Sequence, residues 1–226
     1  MDDTLVELVA ANVTFVGMHF VMSHPLRATM VRIFGEKLFP AVYSLVSFAT
    51  LAWVYFAFTA TPSFDLPGSG EIGWIVATVI MLPAMVLFAG SFAGNPALPA
   101  PGAEKLASKE PNGVFKVTRH PMMWAFGLWA LSHIVLFWSW RTMITAIAMG
   151  FLALVGAHMQ DRKKEVLMGE AWGQWEAKTS YWPRWGKLFG VGAIWWIAGT
   201  VLWLGFTYGH IHAGGIPAGI WRWVGV

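Results

Sequence analysis

The chain has 226 residues, 57% of them apolar and 12% charged, with a mean hydropathy of +0.56. Soluble domains carry about 25% charged residues, so this composition excludes an ordinary water-soluble domain and points to a bilayer, as do 15 tryptophans, a residue concentrated at membrane interfaces. The absence of cysteine excludes disulfides, thiolate metal sites and cysteine nucleophiles, and the net charge of +3 is accounted for by membrane topology without a nucleic-acid partner.

The apolar runs are continuous and do not alternate, which favours helices over a membrane β-barrel. The expectation is an all-α, polytopic membrane bundle of about six transmembrane helices, one domain over residues 1–226. The first run, Leu5–Met22, follows Asp2 and Asp3 where a signal peptide would be basic, so it reads as a retained helix. The second is Phe39–Thr59, followed by a short Pro/Gly-rich connection, Thr61–Glu71. The third, Ile72–Phe92, contains Pro83, which predicts a kink. Gly94–Lys116 is the longest polar insert, and Pro96, Pro99, Pro101 and Pro111 predict that most of it is non-helical. Only "SWRT" separates the fourth run, Met122–Trp138, from the fifth, Thr142–Met159, which predicts an antiparallel hairpin. Asp161–Trp185 is charged, and Trp172, Trp175 and Trp182 suit an amphipathic segment on the membrane interface. The sixth run, Leu188–Tyr208, leads into a Gly-rich tail.

Lysines and arginines alternate with these runs. The odd-numbered connections hold 13 and the even-numbered ones hold 1. Basic connections face the cytoplasm, so both termini are expected on the opposite side.

Ionisable side chains at bilayer depth face the bundle interior and are functional hypotheses by default. His133 is the deepest, 12 residues or about 18 Å beyond Pro121, on a face shared with Phe126, Trp129, Ala130 and Phe137. His19 shares a face with Asn12, Phe15, Val16 and Ser23. Each reads either as a packing histidine bonded to a neighbouring helix, for His19 through Ser44 or Ser47, or as a ligand. His24, His158, His210 and His212 sit near an interface, where a polar ring costs little. Two helical imidazoles without cysteine suit heme iron held from both sides, with aromatic and small residues packing the porphyrin. Zinc would want a third or fourth ligand that no His-rich motif supplies.

"TRHP" (118–121) marks the start of the fourth helix, because proline suits the first turn and pushes the preceding residue out of helical geometry. Arg119 and His120 at such a terminus either hold an anion, such as a propionate, carboxylate or phosphate, or anchor and cap the helix.

"GMHF", "LRATMVRIFGEKLFPAVYSLVS", "GVFKVTRHPMMWAFGLWALSH" and "HMQDRKKEVLMGEAWGQW" together resemble the NnrU family of multi-pass bacterial membrane proteins. That family is associated with denitrification gene sets and is related to the plant and cyanobacterial zeta-carotene isomerases, which use heme b held by two histidines to isomerise a cis double bond. The resemblance implies a bacterial inner (cytoplasmic) membrane protein, heme b as cofactor, iron ligands at His19 and His133, and a cis-trans isomerase acting on a carotenoid-like polyene, with an unassigned redox partner. The alternative is a non-enzymatic heme protein or sensor in denitrification or nitrogen-oxide respiration. The second half also resembles, more distantly, the isoprenylcysteine carboxyl methyltransferases and sterol reductases, through RHP and Glu165, Leu167, Gly169 and Trp172, which implies as a further alternative an S-adenosylmethionine-dependent membrane methyltransferase-like enzyme using Arg119 and His120 at the cytoplasmic face. It departs from them at Met123, where a tyrosine is usual, and at "DRKKE", where paired acids are usual.

Helix depth sets a condition on the iron ligands. His19 lies about 6–9 Å from the cytoplasmic end of its helix and His133 about 18 Å from the same side, whereas trans ligands need nitrogens about 4 Å apart. On that count His120 or His158 is an alternative partner for His19.

Overall fold

The computed structural model describes residues 3–63, 68–98 and 102–225. These form eight α-helices: α1 (Asp3–Ser23), α2 (Arg27–Ala60), α3 (Gly70–Gly90), α4 (Ala103–Ala107), α5 (Pro121–Leu136), α6 (Trp140–Met168), α7 (Glu170–Lys178) and α8 (Ala193–Gly214). Short 3-10 turns lie at Gly113–Lys116, Trp185–Gly190 and Gly219–Arg222, and there is no strand among the described residues. Helices α1, α2, α3 and α6 are long and apolar enough to cross a membrane; α5 is apolar but shorter, at 16 residues. The α8 helix has 22 residues. The architecture is the predicted helical membrane bundle.

Local chemistry sets the ends of the central hairpin. Pro121 opens α5, with His120 before it in non-helical geometry. The Ser139 side chain accepts a hydrogen bond from the Thr142 backbone N–H, capping α6. The link between α5 and α6 is only residues 137–139, so the helices return antiparallel as the sequence predicts.

Three segments differ from expectation. The first basic connection is largely helical, and α2 begins at Arg27. Its change of direction is at Gly35, with φ 75° and ψ 160°, a conformation open essentially to glycine. The third helix stays continuous across Pro83. The tryptophans of the Asp161–Trp185 segment do not share one outward face. Helix α6 runs on to Met168, and α7 turns Trp172 and Trp175 inward, where they are 0% and 2% exposed. Trp175 meets Phe115 edge to face at 5.7 Å, packing α7 against the 113–116 turn, whereas Trp182 and Trp185 are exposed. The polar insert contains the single turn α4, while Pro99, Pro101 and residues 64–67 of the Thr61–Glu71 connection lie outside the described residues.

Two cores result. One joins α3, α5 and α7 to the 113–116 and 185–190 turns through Leu87, Ala125, Trp172, Phe115 and Leu188, with Trp195 and Trp196 of α8 packed against it. The other joins α1 and α2 through Leu8, Ala11, Phe15, Val54 and Ala57, with Ile144, Met149 and Leu152 of α6 packed on it. The α5–α6 hairpin ties them together, since α5 packs on α3 and α6 on α1. Gly199 lets α8 approach α3 closely: a Cβ there would lie 2.6 Å from the Val86 Cα.

Candidate cofactor and substrate cavities

At the start of α5, Arg119 and His120 converge on Asp161 of α6. The Arg119 Nε donates to both Asp161 oxygens at 3.1 and 3.0 Å, and Nη2 donates to Oδ2 at 2.6 Å. Nη2 also reaches Glu176 of α7 at 3.1 Å. The His120 Nε2 lies 2.7 Å from Asp161 Oδ1, with His120 and Asp161 2% and 1% exposed. The carboxylate accepts there, so Nε2 carries the proton. The backbone is fixed too: the Arg119 N–H donates to Ser180 O at 2.8 Å, and the Thr118 hydroxyl donates to Tyr181 O at 2.8 Å. The anion that Arg119 and His120 meet is thus the chain's own carboxylate, and the cluster locks α5, α6 and α7 together. Burial raises the Tyr181 phenol, helped by the Asp161 charge, and burial also raises the Glu176 carboxyl. The space beside His120 is about 20 Å³, room for a water.

Two larger cavities lie within the bundle, and Phe126 and Trp129 of α5 contribute to the walls of both. The cavity between α1, α2, α5 and α6 measures about 540 Å³. His19 lines it, with its Nδ1–H donated to Phe15 O at 2.7 Å and its ring edge-on to Tyr43 at 5.5 Å. His24, Gln160 and Lys163 also line it. The cavity between α3, α5 and α8 measures about 260 Å³ and is aromatic, with Trp74, Phe88, Phe137 and Phe206 in its walls. His133 lines it, its Nδ1–H donated to Trp129 O at 2.9 Å. So His19 and His133 open into different cavities.

Neither Ser44 nor Ser47 bonds His19, although Asn12 does bridge helices, to Thr145 of α6 at 3.5 Å. His24 bonds Met159 O at 3.3 Å, and His158 is exposed. The sequence places His210 in a Gly-rich tail beyond the sixth run. The apolar run in fact continues as helix to Gly214 and ends at Gly215 in left-handed geometry, which brings the His210 ring to 6.4 Å from that of His133. The Gly214–Gly215 pair, a glycine stop signal, was the clue to this longer helix. No group of three or more His, Asp or Glu side chains able to hold a metal ion occurs among the described residues.

The bundle and its imidazole-bearing apolar cavities define a polytopic helical membrane protein. The chain belongs to the NnrU protein family, which it matches over residues 7–218. No curated protein and no solved structure matches it.

Proposed function

We propose that this NnrU-family protein binds heme b inside the bundle and isomerises a cis double bond of an apolar, carotenoid-like polyene taken from the lipid phase. The observation carrying this reading is a pair of aromatic cavities, each reached by an imidazole whose Nδ1–H is spent on its own helix. For neutral His19 and His133, that bond leaves the lone pair on Nε2, the tautomer a metal needs.

The residues of the α3–α5–α8 cavity suit a flat macrocycle. Its walls are mostly aromatic, and two lining side chains, Thr78 Oγ1 and Trp203 Nε1, are buried without a hydrogen-bond partner, so a polar edge would satisfy them. The resemblance assigns the iron to His19 and His133, and His133 is the one placed in this cavity. Bound heme would supply a redox-active iron supported by an electron donor. The chain's own part would be to enclose the group between aromatic walls, exclude water and offer the Nε2 lone pair of His133 as a ligand. The larger cavity, beyond the Phe126–Trp129 partition, suits an extended apolar substrate. A heme sensor would use the same cofactor cavity. A methyltransferase reading is not favoured, because about 20 Å³ beside His120 is far too little for S-adenosylmethionine. The setting we propose is a bacterial cytoplasmic membrane, with the basic connections inside and both termini outside.

The test is an absorption spectrum of protein purified from a heme-sufficient host, oxidised and reduced, together with carotenoid analysis in cells accumulating a poly-cis carotene. A Soret band and conversion of the cis isomer are expected. A Soret band without conversion favours the sensor, and no Soret band removes both.

A further inference from the structure

We propose that His210 of α8 is the second axial ligand, opposite His133 of α5, for the metal of a planar macrocycle seated between α3, α5 and α8. This rests on the heme reading above but changes the ligand set it implies.

The spacing is the first support. Two metal–nitrogen bonds of about 2 Å, plus the offset of each ring nitrogen from its ring centre, put trans imidazole centroids roughly 6 Å apart. The His133 and His210 centroids are 6.4 Å apart. The second is the tautomer. His210 Nδ1–H donates to Phe206 O at 2.7 Å, as His133 Nδ1–H donates to Trp129 O at 2.9 Å. Both bonds are to the carbonyl four residues back on the same helix, so in the neutral rings both free Nε2 atoms carry a lone pair, and neither has a hydrogen-bond partner among the described residues. The third is the gap. Helices α5 and α8 each pack on α3 rather than on each other, which leaves a slot lined by both rings. With no third His, Asp or Glu at hand, two nitrogens suit a metal whose remaining positions are filled by a macrocycle. The fourth is depth. His133 is 12 residues along α5 from Pro121 and His210 is 17 along α8 from Ala193, about 18 and 26 Å, so both lie toward the ends remote from the Arg119 cluster. His19 lies near the opposite end of the bundle, four residues before the end of α1 and lining the other cavity.

The experiment uses full-length protein loaded with hemin, read by absorption and electron paramagnetic resonance in the ferric state. Wild type should be low-spin. His210→Ala and His133→Ala should each become high-spin and return to low-spin when imidazole is added, while His19→Ala stays low-spin. His210→Met should show a thioether-ligated spectrum, which guards against simple misfolding of the alanine variant. A low-spin, unaltered spectrum in both His210 variants overturns the proposal while leaving heme binding intact. Loss of low-spin iron in His19→Ala, with His210→Ala unchanged, instead assigns the position to His19. Failure of wild type to bind hemin removes the heme reading and this proposal together.

Discussion

Asp161 gathers four side-chain hydrogen bonds from Arg119 and His120 in the buried junction of α5 and α6. Its carboxylate receives two oxygens' worth of bonds from Arg119 and one from His120, in a site that water scarcely reaches. Removing one partner of such a buried pair leaves the others charged and unsolvated, at a cost of about 3–5 kcal/mol. Asp161→Ala is therefore expected to lower the melting temperature in detergent sharply, and Asp161→Asn, which keeps an acceptor, to lower it less. Equal melting temperatures for both variants and wild type would show that the cluster is not structural. "TRHP" was legible as a helix start, and the structure bears that out at Pro121. Its partner was not legible, because Asp161 lies 42 residues from Arg119 and meets it only when the hairpin closes.

At the scale of the element, α8 shows how packing and chemistry share one helix. Its Gly199 sits against the Val86 backbone, which cannot step aside, whereas Gly205 on the same helix has nothing within 4 Å of a Cβ. Gly199→Val should cost about 1–3 kcal/mol through overpacking and show as a lower melting temperature and reduced hemin retention, since α8 carries one wall of the cavity. Gly205→Ala should leave both unchanged. The sequence predicts the helix but ends it at Tyr208; two further turns' worth of polar and glycine residues belong to it, and these include His210. Hydropathy alone stops where apolar residues stop, whereas the backbone continues until a glycine takes the left-handed conformation.

Across the whole molecule, α5 divides the interior, with Phe126 and Trp129 between a narrower aromatic cavity and a wider cleft. On the proposed reading, cofactor and substrate would take neighbouring spaces in place of a single pocket. Gly156 of α6 lines the wider cleft, and a Cβ there would meet only Phe20 at 3.9 Å. Gly156→Leu should therefore fold normally, keep the heme spectrum of wild type and lower cis-carotene conversion by about tenfold or more through lost cleft volume. A variant that loses heme and conversion together would place both ligands in one space.

The bilayer setting, the helical class, the central hairpin and the family are all legible in the sequence, because each follows from composition, run length or contiguous motifs. His19 and His133 also stand out there, since an imidazole on an apolar helix is conspicuous without any partner in view. Which rings share a cavity depends on how the helices pack. The convergence of Arg119, His120 and Asp161, the inward turn of Trp172 and Trp175, and the approach of His210 to His133 are contacts between residues about 40 or more positions apart in the chain. Periodicity fixes the face a side chain takes on its own helix, but the rotation, depth and neighbour of that helix come from packing.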